Sequence, residues 1–136
     1  MPYLPPFQKL SDRMTIAGTA DDARVATTLG ELRAMIRRLL DHVVVDETWY
    51  LTRYPDVAMA IRDGRAQSAR DHFLNNGYFE GRWPNAITVD EAWYLAEYPE
   101  VAKAIREGVV SSAQQHFEEN GYREGRRPWP EWDRPS

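Results

Sequence analysis

Residues 45–84, with the sequence VDETWYLTRYPDVAMAIRDGRAQSARDHFLNNGYFEGRWP, are followed by a near copy of themselves at residues 89–128. The second copy reads VDEAWYLAEYPEVAKAIREGVVSSAQQHFEENGYREGRRP and aligns with the first without a gap. Identical residues occupy about 25 of the roughly 40 aligned positions, which indicates a duplication rather than chance. An internal period of about 44 residues is typical of tandem supersecondary units.

Helix signals recur at the same places in both copies. N-caps are predicted at Asp46 and Ser68, whose side-chain oxygens can accept from the free N–H groups of a first turn. Pro55 interrupts one helix and suits the first position of the next. Gly64 fits a C′ position with positive φ, and the Asn-Gly pair ending at Gly77 predicts a second such turn. The equivalent residues of the second copy are Asp90, Ser112, Pro99, Gly108 and Gly121.

These signals predict an all-α fold, because neither copy shows the alternating pattern of a strand. We expect two tandem repeats of three short helices each, preceded by an amphipathic capping or dimerisation helix. The predicted divisions are an irregular N-terminal segment (1–27), the amphipathic helix (28–44), repeat 1 (45–88), repeat 2 (89–128) and a Pro/Trp-rich tail (129–136).

The helix before the repeats starts at a predicted capping box, formed by Thr28 and Glu31. Its apolar residues recur at spacings of three and four and are the candidate self-association surface: Leu29, Leu32, Met35, Ile36, Leu39, Leu40 and Val43. Two interpretations are open. The helix either packs on the repeats as an N-terminal cap or pairs with its copy in another chain, although about two heptads are short for a coiled coil.

Composition excludes several classes of protein. A net charge of −4 over 136 residues argues against a nucleic-acid binder held by phosphate contacts. The chain has no cysteine, so disulfides and thiolate metal sites are excluded. Neither a secretory signal near the N-terminus nor an apolar stretch of membrane-spanning length is present in the sequence, so we expect a cytoplasmic protein.

Aromatic and arginine residues at repeated positions form the candidate surface for a partner or ligand. They are Trp49, Tyr50 and Arg82, their equivalents Trp93, Tyr94 and Arg126, and Trp129 and Trp132 of the tail. The aromatic rings either pack in the core or present a platform for a saccharide or peptide. The arginines either bind a carboxylate of their own copy, such as Asp46 or Asp90, or helix-end carbonyls, or recognise an acidic ligand.

Catalytic and metal-binding patterns are not found in the sequence. His72 and His116 occur once per copy and lack the local spacing of a metal-ligand pair, so each is predicted to be half buried and hydrogen-bonded within its repeat. Phosphate-binding loops, dinucleotide fingerprints, zinc-protease motifs and nucleophile elbows do not occur. We expect no enzymatic activity, no catalytic residues, no metal and no cofactor.

The pattern W-Y-L-x-x-Y-P-[DE]-V-A, followed by G, S-A, H-F and N-G-Y-x-E-G-R-x-P, resembles a bacterial tandem repeat family. The resemblance covers residues 45–84 and 89–128, and it implies an association with glycosyltransferase or other surface-polysaccharide proteins. It implies no catalytic residues. The family often has Tyr after the histidine, whereas this chain has Phe73 and Phe117, which weakens a polar site there. We therefore expect an interaction or scaffold module that binds a protein partner or itself, or alternatively a sensory module for a saccharide or anionic metabolite.

Overall fold

A computed structural model describes residues 6–132, in which the regular secondary structure is helical apart from one short hairpin. The helices are α1 Phe7–Ser11, α2 Leu29–Leu40, α3 Glu47–Arg53, α4 Pro55–Arg62, α5 Ala69–His72, α6 Glu91–Glu97, α7 Pro99–Arg106 and α8 Ala113–His116. Helices α5 and α8 each continue into a π-helical turn, Phe73–Gly77 and Phe117–Gly121. The predicted all-α class is confirmed.

The chain divides into two compact units, Met1–Asn85 and Ala86–Ser136. The first unit contains α1 to α5 and the hairpin, and the second contains α6 to α8. The three helices of the second unit occupy positions that align with α3, α4 and α5 in the sequence. Each copy of the duplicated sequence therefore lies in a unit of its own.

The predicted caps and breaks are present in the structure. Asp46 Oδ1 accepts from the backbone N–H of Trp49 at 3.0 Å, and Ser68 Oγ accepts from that of Asp71 at 2.9 Å. Pro55 is the first residue of α4. Gly64 has a φ of 75°, and the next N–H reaches back to the Ala60 carbonyl at 2.8 Å, which completes the helix end. The corresponding residues of the second unit do the same.

The prediction of positive-φ turns at Gly77 and Gly121 is wrong. The positive φ values fall four residues later, at Gly81 and Gly125, because the chain continues through the π-helical turn before it reverses. Gly77 is instead required for space: a Cβ there would overlap the hydroxyl of Tyr50. Gly121 has the same relation to Tyr94. The Asn-Gly pairs therefore mark a close approach of two elements and not a turn.

The core of the first unit joins the repeat to the helix before it. Its buried members are Leu40, Tyr50, Val57, Ala69 and Phe73. Partly buried Ile36 and Val43 pack against this cluster. Two backbone carbonyls at the end of α2, those of Asp41 and Val43, accept from the guanidinium of Arg70 at 2.8 and 2.6 Å. Helix α2 therefore packs on repeat 1 of its own chain through one side.

The second unit has an equivalent core, whose buried residues include Ile87, Val89, Tyr94, Val101, Val110, Ala113 and Phe117. Gln114 takes the place of Arg70. Its amide donates to the Ile87 carbonyl and accepts from the Val89 N–H, both at 2.8 Å. The segment that precedes the repeat is thus held by the same position of the third helix in both units.

The N-terminal segment is more regular than the predicted irregular stretch 1–27. It contains α1 and an antiparallel hairpin of Thr15–Ala17 (β1) and Arg24–Ala26 (β2), with Ile16 opposite Val25. Both strands are exposed along their whole length, so no apolar–polar alternation marks them in the sequence. Residues 1–5 and 133–136, parts of the predicted segment and tail, lie outside the described residues.

Candidate functional site

A hydrogen-bonded pair of a buried tyrosine and a half-buried histidine lies at the centre of each unit. Tyr50 is fully buried, and its hydroxyl is 2.9 Å from His72 Nδ1. Tyr94 and His116 form the same hydrogen bond at the same distance. The prediction of half-buried histidines bonded within their own repeat is confirmed. The two tyrosines belong to the core, so they are not open faces on which a ligand could stack.

Burial favours the uncharged form of both residues in this pair. It raises the pKa of Tyr50 well above the usual value and raises the pKa of Tyr94 to about 12. The pKa values of His72 and His116 are lowered, first by burial and then by the positive charge of Arg82 or Arg126. A neutral hydroxyl and a neutral imidazole can share one hydrogen bond without a buried charge.

Arg82 binds two carboxylates and one ring, an arrangement that we call the arginine clasp. Its guanidinium donates to both carboxylate oxygens of Asp56, at 2.9 and 2.7 Å, and to Glu80 at 2.7 Å. It also lies 4.9 Å from the centre of the Tyr54 ring. Such a bidentate contact is among the stronger ion pairs of proteins. In the second unit Arg126 holds the equivalent residues Glu100, Glu124 and Tyr98.

The prediction that these arginines bind a carboxylate of their own copy is confirmed, but the suggested partners Asp46 and Asp90 are wrong. Those two carboxylates cap α3 and α6. The actual partners, Asp56 and Glu100, follow the proline at the start of α4 and α7. Hydrogen bonding to the arginine lowers the pKa of both carboxyl groups.

The two repeats differ in what covers the first tryptophan. In unit 1 the Trp49 ring is stacked on Trp83, with centroids 6.5 Å apart and planes inclined by 8°. In unit 2 the guanidinium of Arg127 lies 5.3 Å from the Trp93 ring. Both tryptophans are half-buried. Sequence reasoning missed Trp83 and Arg127, although a large side chain that differs between the copies, between a repeated Arg and a repeated Pro, was a usable signal.

A polar cleft of about 390 Å³ opens beside the arginine clasp of unit 1. The polar side chains that line it are those of Asp56, Arg65, Asp71, His72, Asn76, Glu80 and Arg82. Two of these positions are apolar or uncharged in the second copy, where Val109 and Gln115 align with Arg65 and Asp71. Of the predicted ligand residues, only Arg82 lines this cleft.

Of the large apolar side chains that are exposed in residues 6–132, most lie before the repeats. Seven are exposed within residues 6–44: Phe7, Ile16, Val25, Leu29, Leu32, Leu39 and Val44. Residues 45–132 expose four: Met59, Tyr78, Val109 and Trp132. Trp132 packs edge-on against the half-buried Trp129, with ring centroids 5.0 Å apart.

The structure divides the predicted self-association residues between two faces of α2 and of residues 41–43, which follow this helix. Leu40 is buried and Ile36 and Val43 are half-buried against repeat 1. Leu32 and Leu39 are 41% and 63% exposed, Leu29 is exposed and Met35 is half-buried. Both interpretations of this helix thus have a face that suits them: one face caps repeat 1, and the other is uncovered in the single chain.

None of the helices within residues 6–132 combines the length and apolar character that crossing a membrane requires. Among the same residues, no three His, Asp or Glu side chains are grouped as ligands for a metal ion. Comparison with models of protein families, with curated proteins and with solved structures gives no significant match. The fold and these contacts define a small all-α protein with an internally duplicated sequence.

Proposed function

We propose that the protein is a helical-repeat interaction module without catalytic activity, which serves as a scaffold in a bacterial assembly and self-associates through its N-terminal region. The observation that carries this proposal is the concentration of exposed apolar side chains in residues 6–44. Apolar side chains left uncovered by their own chain mark protein–protein contact sites where they lie together on one surface. Leu32 and Leu39 are the part of this surface that lies on one side of a single helix, and the other side of that helix, α2, packs on repeat 1.

The non-catalytic character is supported by the way the ionisable groups are used. The best candidates for acid–base chemistry, His72 and Asp56, are engaged by Tyr50 and by Arg82. The second unit repeats both contacts. Active sites usually depend on groups whose environments differ, so that one is an acid and another a base. Because the same Tyr–His and Arg–carboxylate contacts recur in both units, a structural role is favoured over a catalytic one.

The link to envelope polysaccharide production rests on the resemblance of both copies to the bacterial repeat family. The test is genomic: we expect genes for glycosyltransferases or polysaccharide export beside the gene for this chain. Neighbouring genes of unrelated function throughout its close relatives would argue against this part of the proposal, and would leave the interaction role untouched.

Self-association is tested by size-exclusion chromatography with light scattering. We expect the parent chain of 15.8 kDa to have about twice that mass in solution. The variant Leu32→Glu/Leu39→Glu places two charges on the exposed face and is expected to be a monomer with an unchanged circular dichroism spectrum. The matched control, Met59→Glu/Val109→Glu, changes two apolar residues outside residues 6–44 that are, as a pair, at least as exposed, and it should remain a dimer. A parent chain that is monomeric at tens of micromolar contradicts the proposal.

A second candidate function is favoured by the polar cleft of unit 1, which could take a saccharide or an anionic metabolite. A screen of glycans and organic acids would then give saturable binding that Arg65→Ala and Asn76→Ala each abolish. Neither residue lies in the buried core. Val109→Ala, at the position of repeat 2 equivalent to Arg65, is the control and should bind normally. Binding that survives both cleft variants excludes this site.

A further inference from the structure

The exposed Leu32 and Leu39 of helix α2 and the half-buried Met35 lie on one strip, whereas the exposed Leu29 lies outside it. At about 100° per residue, Leu32, Met35 and Leu39 fall within a sector of roughly 60°. Ile36 and Leu40 lie further round the helix and pack on repeat 1. The exposed strip is therefore bordered on one side by the body of its own unit.

The opposite border of the strip carries two charges of opposite sign. Glu31 and Arg38 are seven residues apart, which places them on the same edge of the helix. On the side toward repeat 1, Arg33 and Arg37 lie 5.6 and 5.7 Å from the centre of the Phe79 ring. One edge of the strip is thus occupied within the chain, and the other carries the charges of Glu31 and Arg38.

This charge pattern distinguishes between the two ways in which a pair of such helices can align. In an antiparallel pair the same edge of each helix meets its counterpart, whereas in a parallel pair each edge meets the opposite edge. A parallel pair would therefore bring Glu31 and Arg38 against the edge that repeat 1 occupies. An antiparallel pair brings Glu31 of one chain to Arg38 of the other, and does so twice.

We infer that α2 binds α2 of a second copy of this chain in an antiparallel pair whose two-fold axis passes beside Met35. This inference rests on the proposed self-association and adds its geometry. Leu32 of each copy then lies opposite Leu39 of the other, and the two Glu31–Arg38 pairs flank them. The contact is isologous, so it closes at two copies and does not extend into a filament.

The ion pair that Glu31 makes within its own chain is only a weak competitor of the proposed pair with Arg38 of the second copy. Its carboxylate is 3.4 Å from Arg13 Nη1, and both side chains are substantially exposed. An exposed pair of this kind contributes little stability. Glu31 can therefore exchange Arg13 for Arg38 of the second copy at small cost, because the latter contact is partly shielded from water by the leucines.

The absence of cysteine from the sequence makes disulfide trapping a direct test. Leu32→Cys and Leu39→Cys chains are mixed in reducing buffer and oxidised after the reductant is removed. The antiparallel pair predicts a cross-linked dimer in the mixture and little cross-linking of either variant alone. Val109→Cys, exposed in the second unit, measures cross-linking by random collision. Efficient cross-linking of Leu32→Cys with itself indicates a parallel pair and overturns the inference, although self-association would stand.

Charge reversal is the second measurement. Glu31→Arg and Arg38→Glu alone each replace two attractive pairs by two repulsive ones, and each is expected to weaken the dimer about three- to tenfold at low salt. The double variant restores both pairs with exchanged signs and should return to near-parental affinity. A double variant that is weaker than both single variants contradicts the antiparallel contact. If the parent chain is a monomer, the proposed self-association fails together with this inference.

Discussion

The hydroxyl of Tyr50 occupies the space that a side chain at position 77 would need. The tyrosine is fully buried and bonded to His72, so it cannot move aside without loss of that hydrogen bond. A Cβ at the same glycine would also come within 3.3 Å of the Phe73 ring. The backbone of the π-helical turn thus packs directly on the hydroxyl. This residue-level contact explains why both copies keep glycine where no positive φ is required.

We expect Gly77→Ala to lower the free energy of unfolding by about 1–3 kcal/mol, the usual cost of forcing extra volume into a packed core. Urea denaturation followed by circular dichroism measures it. Gly30→Ala is the matched control, because Gly30 lies in α2 and a Cβ there meets its nearest neighbour at 3.9 Å. That substitution should be neutral or stabilising by about 0.5–1 kcal/mol. Equal effects of the two variants would refute the role given to Gly77.

The half-buried histidines predict a dependence of stability on pH. The pKa of His72 in the folded chain lies below its ordinary value of 6.5, as does that of His116. The unfolded chain therefore binds more protons than the folded chain below about pH 6.5, and stability falls as the pH is lowered from there toward the folded pKa. The lowered pKa values of Asp56 and Glu100 have the same sign but act only below about pH 4–5.

The free energy of unfolding should accordingly be smaller at pH 5 than at pH 7. His72→Gln/His116→Gln keeps a side chain that can hydrogen-bond to the tyrosine but cannot titrate, so this variant should show a reduced difference between the two pH values. Urea denaturation at both values is the measurement. A parent chain that is equally stable at pH 5 and pH 7 would show that the histidines are not desolvated as described.

At the scale of elements, the residue before Pro84 or Pro128 decides how the tryptophan of α3 or α6 is covered. Trp83 is buried, stacks on Trp49 and donates its backbone N–H to the Tyr54 hydroxyl at 3.0 Å. Arg127 makes the same backbone contact to Tyr98 but covers Trp93 with a guanidinium. The same scaffold thus tolerates an aromatic and a cationic cover.

Trp83→Ala should destabilise unit 1 by about 3–5 kcal/mol, because it removes a large buried ring. Arg127→Ala, at the equivalent position, should cost unit 2 only about 0.5–1 kcal/mol, the usual range of an exposed cation–π contact. Hydrogen exchange read residue by residue separates the two units. If Arg127→Ala destabilises unit 2 as much as Trp83→Ala destabilises unit 1, each unit requires a side chain over its tryptophan, whether or not that side chain is buried.

At the scale of the whole molecule, the chain closes each repeat with a hydrogen bond between its two ends. The Asp46 N–H donates to the Pro84 carbonyl at 3.0 Å, and the Asp90 N–H donates to the Pro128 carbonyl at 2.9 Å. A repeat whose two ends are hydrogen-bonded differs from an open solenoid repeat, which depends on its neighbours to bury its faces. This closure makes the second unit a candidate for independent folding.

We expect a fragment of residues 86–136 to fold cooperatively on its own, with the low stability usual for so short a chain. Thermal unfolding by circular dichroism and the dispersion of its amide NMR signals are the measurements. Tyr94→Ala, which empties the centre of the core, is the control that should abolish both. A fragment without cooperative unfolding would show that closure of the chain ends does not make the unit autonomous.

The sequence by itself determined the features that act over a few residues. The caps at Asp46 and Ser68, the break at Pro55 and the positive φ at Gly64 all depend on backbone groups within one turn, so local residue types suffice to predict them. The duplication then indicated that the same local structure occurs twice. The three short helices of each copy, and therefore the all-α class, could be read in this way.

The tertiary structure decided which distant groups meet. Arg82 binds a carboxylate 26 residues away, and the Tyr50 hydroxyl meets a histidine 22 residues away. Several carboxylates of repeat 1 were possible partners of Arg82, and local sequence signals do not distinguish Asp56 from Asp46. The same holds for α2: its apolar stripe was evident, but only packing against repeat 1 set the rotation that buries Leu40 and leaves Leu32 and Leu39 exposed. Local signals specify helices, whereas their rotation and partners follow from the close packing of the whole unit.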